Sequence, residues 1–336
     1  MNNRKFFLGA LCALVFVGLL LGAGLGMNAL LRPGETEPSV TDAPTDPPTD
    51  PPTDPPTDPP TEPVTEPPFT MPELSLTAKQ SFIYIVGSRQ FLMLKGNENE
   101  RIYPASLTKL FSAYVALKYL DPETKVTAGN EVYAVAADSS IASLSPGDVL
   151  TVRQLVRAML LASGGDAAMT LAAATGRKLE NNPGLSYSKA VFRFVEEMNA
   201  VAHSLGLAGS HFENPDGYHH ENHYTTCADM QRIGAIALTH PELKSTMGLT
   251  QAATPQLQRP YPGNVWKNTN FLLQPTSPHY IPTATGMKTG YTGAAGGCLL
   301  ASFSVKGEHV IVGLFGCPTK ENRFEDVHKI YNAYIN

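Results

Sequence analysis

Pro104-Ala105-Ser106-Leu107-Thr108-Lys109 is the stretch from which the rest of the chain can be read. Leu107, Leu110, Phe111, Tyr114 and Val115 recur at i, i+3, i+4, i+7 and i+8, so an amphipathic helix opens here and runs until Asp121-Pro122 ends it. Residues three apart share a helix face, which puts the Lys109 amine over the Ser106 hydroxyl. A neutral lysine there can take the serine proton, and a helix N-terminus favours the alkoxide that forms. Alone the S-x-x-K spacing is a weak signal. Ser186–Lys189 repeats it in a polar stretch with no strand before it, and is set aside.

Upstream, Ser81–Val86 and Gln90–Lys95 read as two short apolar strands joined by Gly87-Ser88. Downstream, Leu150–Gly176 is helical on both sides of Ser163-Gly164-Gly165-Asp166, a tight link between two helices. Ala190–Leu205 and Cys227–Thr239 are further helices. The last third turns strand-like over Gly286–Thr289, Cys298–Val305 and His309–Phe315, with Lys306-Gly307 turning the final pair and Phe324–Ile335 closing as a helix. Strands at both ends with helices between them imply an α/β (α+β) class, with one antiparallel sheet built from both ends and covered by helices. Lys288-Thr289-Gly290 lies on one of those strands, where a lysine can bind a carboxylate and depress the pKa of a neighbouring lysine. The two motifs in this order point to a penicillin-recognising serine acyl-transferase.

The chain resembles the serine-type D-alanyl-D-alanine carboxypeptidases, the low-molecular-weight penicillin-binding proteins, over roughly residues 76–335. Beyond the stretch quoted first, the matching blocks are Leu160-Leu161-Ala162-Ser163-Gly164-Gly165-Asp166-Ala167-Ala168, Phe212-Glu213-Asn214-Pro215-Asp216-Gly217, His223-Tyr224-Thr225-Thr226 with Asp229-Met230, Asn268-Thr269-Asn270, and Gly286-Met287-Lys288-Thr289-Gly290-Tyr291-Thr292. The resemblance implies a β-lactamase/penicillin-binding-protein-like transpeptidase fold and no cofactor. It implies that Ser106 attacks the carbonyl between two D-alanines of a peptidoglycan stem peptide and becomes an acyl-enzyme, with Lys109 as general base. Ser163 is implied to relay the proton to the leaving amine. Lys288 and Thr289, with Gly290 in the same motif, hold the terminal carboxylate, and the N–H groups of Ser106 and Tyr291 form the oxyanion hole. A β-lactam would be trapped at the same serine.

One departure stands out. The family usually has Asn as the third member of its central motif, where this chain has Gly165, and Asp166 is no obvious substitute because an Asp follows that Asn in relatives too. A non-catalytic, peptidoglycan-binding relative therefore stays open as an alternative. So does a serine β-lactamase, although no matching glutamate motif for deacylation is evident. Some relatives carry a further β domain and a C-terminal amphipathic anchor, whereas this chain ends at Asn336. His219, His220 and His223 resemble a zinc cluster but lack partners at metal spacing, so they are read as a polar loop near the cleft and no metal is expected. Asp216 and Glu221 are read as turn and surface residues, and Trp266 as packing near the cleft. Cys298 and Cys317 fall on strands that could be neighbours, which leaves a disulfide open.

Charge and composition set the context. The chain has 336 residues and a net charge of −5. The first 72 residues account for −6 of it, which leaves 73–336 at +1 and excludes a strongly basic nucleic-acid binder. Residues 1–5 form a short basic n-region, and 6–31 run without a charge, long enough to span a bilayer as an anchor, or else to serve as a cleaved signal segment. Arg4 and Lys5 put the N-terminus in the cytoplasm and the remainder outside. Residues 33–72 hold 15 of the 28 prolines in a Thr-Asp-Pro-Pro repeat with no Lys or Arg. At about 3.1 Å per residue such a spacer reaches on the order of 120 Å. A ligand for a proline-binding domain is the lesser reading of that repeat. Residues 73–336 are expected to form the catalytic domain.

Overall fold

The computed structural model describes residues 73–335, so the expected membrane segment 6–31 and spacer 33–72 lie outside the described residues. Strands β1 (Gln80–Ile85) and β2 (Gln90–Lys95) form the expected hairpin. A single 3-10 turn, Ala105–Leu107, then leads into α1 (Thr108–Leu117). Two short strands, β3 (Lys125–Thr127) and β4 (Val149–Thr151), pair with each other before α2 (Val152–Leu161), which opens on a capping box between Thr151 and Gln154. Helices α3 (Gly165–Leu179), α4 (Tyr187–Ser204), α5 (Cys227–Thr239) and α6 (Pro241–Met247) follow, the last starting on the proline that suits a first helical position. A second small pair, β5 (Gln251–Ala253) and β6 (Val265–Lys267), precedes β7 (Ala284–Thr292), β8 (Gly296–Val305), β9 (Glu308–Cys317) and α7 (Asn322–Tyr334).

The main sheet is antiparallel, in the order β2-β1-β9-β8-β7, so the N-terminal hairpin pairs against the C-terminal strand. Its central strands are apolar on both faces, which explains their lack of polar alternation. Phe82, Leu300 and Ile311 point into a core shared with the helices from α1 to α5, while Ile83, Leu299 and Val312 point into a second core under α7. Lys306 and Gly307 turn β8 into β9 with φ of +52° and +83°, the left-handed pair that a two-residue hairpin needs. The same two-sided packing answers the disulfide question. Cys298 and Cys317 do lie on neighbouring strands, but they belong to opposite faces of the sheet, and both are free thiols.

The two ends of the domain are tied by one carboxylate. Asp326 on α7 is fully buried, and its Oδ2 accepts from Thr77 N at 2.7 Å, Thr77 Oγ1 at 2.8 Å and Ala78 N at 2.8 Å, just before β1. Removing it strands two backbone donors and a hydroxyl. Asp326→Ala is expected to lower the unfolding free energy by about 3 kcal/mol in urea titrations, and Thr77→Val by less. An Asp326→Ala loss below about 1 kcal/mol would contradict the tie.

Candidate active site

The edge strand β7 and the 3-10 turn before α1 meet at one wall of a cleft of about 690 Å³. Their approach depends on Gly290. A Cβ there would stand 3.0 Å from Pro104 O and 3.1 Å from Ser106 N, so a side chain at 290 would force the strand away from the serine. Ala105 takes φ +49°, a left-handed conformation that turns the chain into Ser106.

Ser106 is half-buried at the cleft floor. Lys109 Nζ donates to its Oγ at 3.0 Å and to the Asp216 carbonyl at 2.6 Å. The lysine is 2% exposed. Burial pushes its pKa down from the ordinary lysine value, against the opposing pull of the Asp216 and Asp166 carboxylates. Across the cleft, Lys288 Nζ donates to Ser163 Oγ at 2.9 Å and to Thr289 O at 2.9 Å. Lys288 lies well below the ordinary lysine range, because burial and then the charges of Lys109 and Arg323 all disfavour its ammonium. Among the described residues no carboxylate pairs with it.

Ser163 sits at the α2–α3 link with φ +59°, its hydroxyl facing the cleft. Asp166, next along, is spent on the loop above: its carboxylate accepts from Ala142 N at 2.7 Å, Leu144 N at 2.9 Å and Ala167 N at 2.9 Å. Burial nonetheless raises its pKa. Trp266 is fully buried and donates to the Ala142 carbonyl at 3.1 Å, so its packing role extends to holding the same loop. Thr289 Oγ1 meets Thr269 Oγ1 at 2.6 Å, which joins the Asn268-Thr269-Asn270 block to β7. Tyr291, the last of the sequence-predicted positions, lines the cleft with its ring 44% exposed and Lys320 over it at 4.7 Å. Ser106, Lys109, Ser163, Thr289, Gly290 and Tyr291 all line this one cleft, and Lys288 reaches it through Ser163.

Three groups here escaped the sequence reading. Asp216 occupies the turn expected of it but not the surface, being 3% exposed and lining the cleft. Arg323, one residue before the helix expected at Phe324–Ile335, is buried in the first turn of α7, donates to the Gly290 carbonyl at 2.7 Å, and brings a third cation to the β7 side of the cleft. His223, read as part of a polar loop near the cleft, is buried. Glu213 N donates to its Nδ1 at 3.2 Å, which leaves Nε2 protonated to donate to Thr108 Oγ1 at 2.9 Å. His219 packs edge-on against Tyr103, and His220 lies 3.9 Å from the Glu213 carboxylate; among the described residues no group of three His, Cys, Asp or Glu is arranged to hold a metal ion.

A buried serine–lysine pair at a helix start, faced by a lysine on a sheet edge, places this fold in the class of active-site-serine penicillin-binding proteins. A family model for D-alanyl-D-alanine carboxypeptidases (peptidase S11) matches residues 69–319, and the chain belongs to that family. It is 30% identical over 263 residues to the D-alanyl-D-alanine carboxypeptidase DacF of Bacillus subtilis, covering 77% of this chain and 62% of the relative. A Streptomyces sp. (strain K15) D-alanyl-D-alanine carboxypeptidase is 31% identical, with 68% of this chain and 77% of the relative covered. The crystal structure of the Streptomyces K15 DD-transpeptidase superposes with a TM-score of 0.68 at 29% identity, covering 78% of this chain and 98% of that one. Penicillin-binding protein D2 from Listeria monocytogenes, in its ampicillin-bound form, gives 0.63 at 26% identity, covering 79% and 100%. The chain spans about three-fifths of the length of the Bacillus subtilis relative and of the Escherichia coli DacD that it also matches.

His223 makes the site acid-sensitive. Burial, then the neighbouring charges of His211, His220, Lys109 and His219, push its pKa down from 6.5 to about 3. The unfolded chain therefore binds a proton near pH 6.5 that the folded one refuses until about pH 3. Stability is lost as pH falls through that window and levels off below it. Between pH 7 and 4 this group is expected to contribute about 3 kcal/mol of the loss. His223→Gln should show a correspondingly shallower decline in chemical-denaturation series, and an unchanged slope would contradict the assignment.

Proposed function

We propose that the chain is an extracytoplasmic serine D-alanyl-D-alanine carboxypeptidase. It removes the terminal D-Ala from peptidoglycan stem pentapeptides through an acyl-enzyme on Ser106, and β-lactams acylate the same serine. The observation that carries this reading is the 3.0 Å contact between Ser106 Oγ and the buried, pKa-depressed amine of Lys109, in one cleft with Thr289 and the Lys288–Ser163 pair.

In this reading each step is assigned to a group of the cleft. Lys288, Thr289 and Arg323 draw the terminal carboxylate to one end of the cleft, which lays the scissile carbonyl over Ser106. Ser106 Oγ attacks as its proton passes to neutral Lys109 Nζ, and the carbonyl oxygen takes up the negative charge. The N–H groups of Ser106 and Tyr291 would stabilise that oxyanion; a single such donor is worth about 10²–10³ in rate. Collapse breaks the C–N bond, and the proton held by Lys109 passes through Ser163, whose hydroxyl is also bonded to Lys288, to the departing D-Ala amine, which leaves Lys109 neutral again. Water then attacks the ester, giving up its proton to Lys109, and releases the shortened peptide with Ser106 restored. The uncharged segment 6–31 and the proline-rich 33–72 fit a catalytic domain held away from a membrane, where its wall substrate is immobile.

Labelled penicillin added to the full chain should give one stable adduct that disappears in Ser106→Ala, and a D-Ala-D-Ala pentapeptide should release D-Ala. No adduct together with no release would overturn the reading. Lys288→Ala is expected to lower kcat/KM for the peptide by about 10²-fold. The rising limb of the kcat/KM pH profile should lie below the 10.5 of an ordinary lysine, since the base is active when unprotonated. A limb at or above that value would exclude Lys109 as the base.

A further inference from the structure

The turn Asn214-Pro215-Asp216-Gly217 is pinned to the first helix and its leading turn at three points. Ser112 Oγ donates to the Pro215 carbonyl at 2.7 Å and Lys109 Nζ to that of Asp216 at 2.6 Å, from two residues on one face of α1. Gly217, at φ +80°, passes so close that a Cβ there would meet Ala105 O at 1.9 Å. Asn214 Oδ1 closes the turn by accepting from Gly217 N at 2.8 Å. The backbone of Asp216 is thereby fixed, and with it the direction of its side chain.

That side chain is buried and lines the cleft. Its Oδ1 accepts from Tyr218 N at 3.2 Å, while Oδ2 has no hydrogen-bond partner among the described residues. Oδ2 lies 3.2 Å from the point that a Cβ on Gly165 would occupy. The same point is 3.1 Å from Val135 Cγ1 and 3.4 Å from Ser140 O. The space beside residue 165 is tight, and a Cβ there would press on the carboxylate and on Val135, which would have to give by a few tenths of an ångström.

Resting on the serine acyl-transfer reading above, we propose that Asp216 is the positioning residue of Lys109. Its main-chain oxygen holds the amine beside Ser106, and its carboxylate, seated beside Gly165, acts on that amine through space as its counter-charge. Four charged or titratable groups surround Lys109: Asp216 from the turn, Asp166 from α3, Lys288 from β7 and His223 from the loop before α5. Asp166 is engaged by three backbone N–H groups, and His223 is held neutral at physiological pH by its burial. Asp216, which accepts a single N–H, is the carboxylate left to respond to the proton on Lys109. By favouring the ammonium it keeps the buried amine a strong proton acceptor, so its loss should yield a weaker base that ionises at lower pH. A glycine at 165 then leaves this arrangement its room.

The test is a titration of the full chain with ¹³C-labelled lysine, reading Lys109 Cε by NMR and assigning it with Lys109→Arg. In Asp216→Asn the Lys109 midpoint should move to lower pH, and Asp216→Ser should reproduce the shift if the first variant folds poorly. An unmoved midpoint in folded variants overturns the proposal. In penicillin acylation, Gly165→Asn should cost about tenfold in the parent but less than about threefold in Asp216→Ser, where the space is vacated. Equal cost in both backgrounds overturns the shared occupancy. The NMR titration reads Lys109 whether or not the chain turns over. A chain that never acylates therefore removes the enzyme reading alone, and an unmoved Lys109 in an acylating chain removes this proposal alone.

Discussion

The amine of Lys109 is buried against two oxygens that carry no formal charge, the Ser106 hydroxyl and the Asp216 carbonyl. Most buried lysines sit in ion pairs that hold their protons; this one has hydrogen-bond acceptors but no carboxylate in direct contact. Burial then lowers its pKa, which is what a base acting near neutral pH requires. Much of the fold can be traced to keeping that environment. The 3-10 turn presents the serine, the Asn214–Gly217 turn presents the carbonyl, and the edge strand seals one side by approaching within van der Waals contact at Gly290.

The second lysine has the opposite task. In the proposed reaction Lys288 needs its charge when a carboxylate arrives, yet it is buried, is repelled by Lys109 and Arg323, and is bonded only to neutral oxygens. Two amines in one low-dielectric cleft cannot both be protonated cheaply, so an incoming carboxylate and the proton on Lys109 are coupled. Carboxylate binding favours the Lys288 ammonium, and that charge in turn disfavours a proton on Lys109. Under the proposed function, substrate binding thus helps prepare the base, a coupling absent from peptides that lack a free terminal carboxylate.

Much of this was legible in the sequence because it is carried by local spacing. The Ser106–Lys109 pair lies three residues apart on a helix, the helix pattern from Leu107 to Val115 is strong, and Cys227–Thr239 coincides with α5 to the residue. What escaped was carried by tertiary contact. Arg323 falls just before the expected helix and carries no signal until α7 folds back over β7. Asp216 reads as a polar turn residue, because nothing in Pro-Asp-Gly says that the turn is driven into the core by Ser112 and Lys109. The strands β7 and β8 run longer than their apolar segments, since Gly290, Gly296 and Gly297 read as loop residues but lie within the sheet where neighbouring backbone comes too close for a side chain. The sheet's closure by β1 against β9 rested on the two-ended strand pattern alone, and the Asp326 tie that reinforces it joins residues about 250 apart in the chain.

The account stands or falls on a covalent intermediate at one serine. Rapid-quench mass spectrometry of the full chain mixed with a D-Ala-D-Ala pentapeptide, followed by peptide mapping, tests it most directly. The expected result is a transient species heavier by the tetrapeptidyl group, with the mass on the peptide containing Ser106 and absent in Ser106→Ala. Release of D-Ala with no covalent species at any time, or an acyl group mapped to another residue, would contradict it.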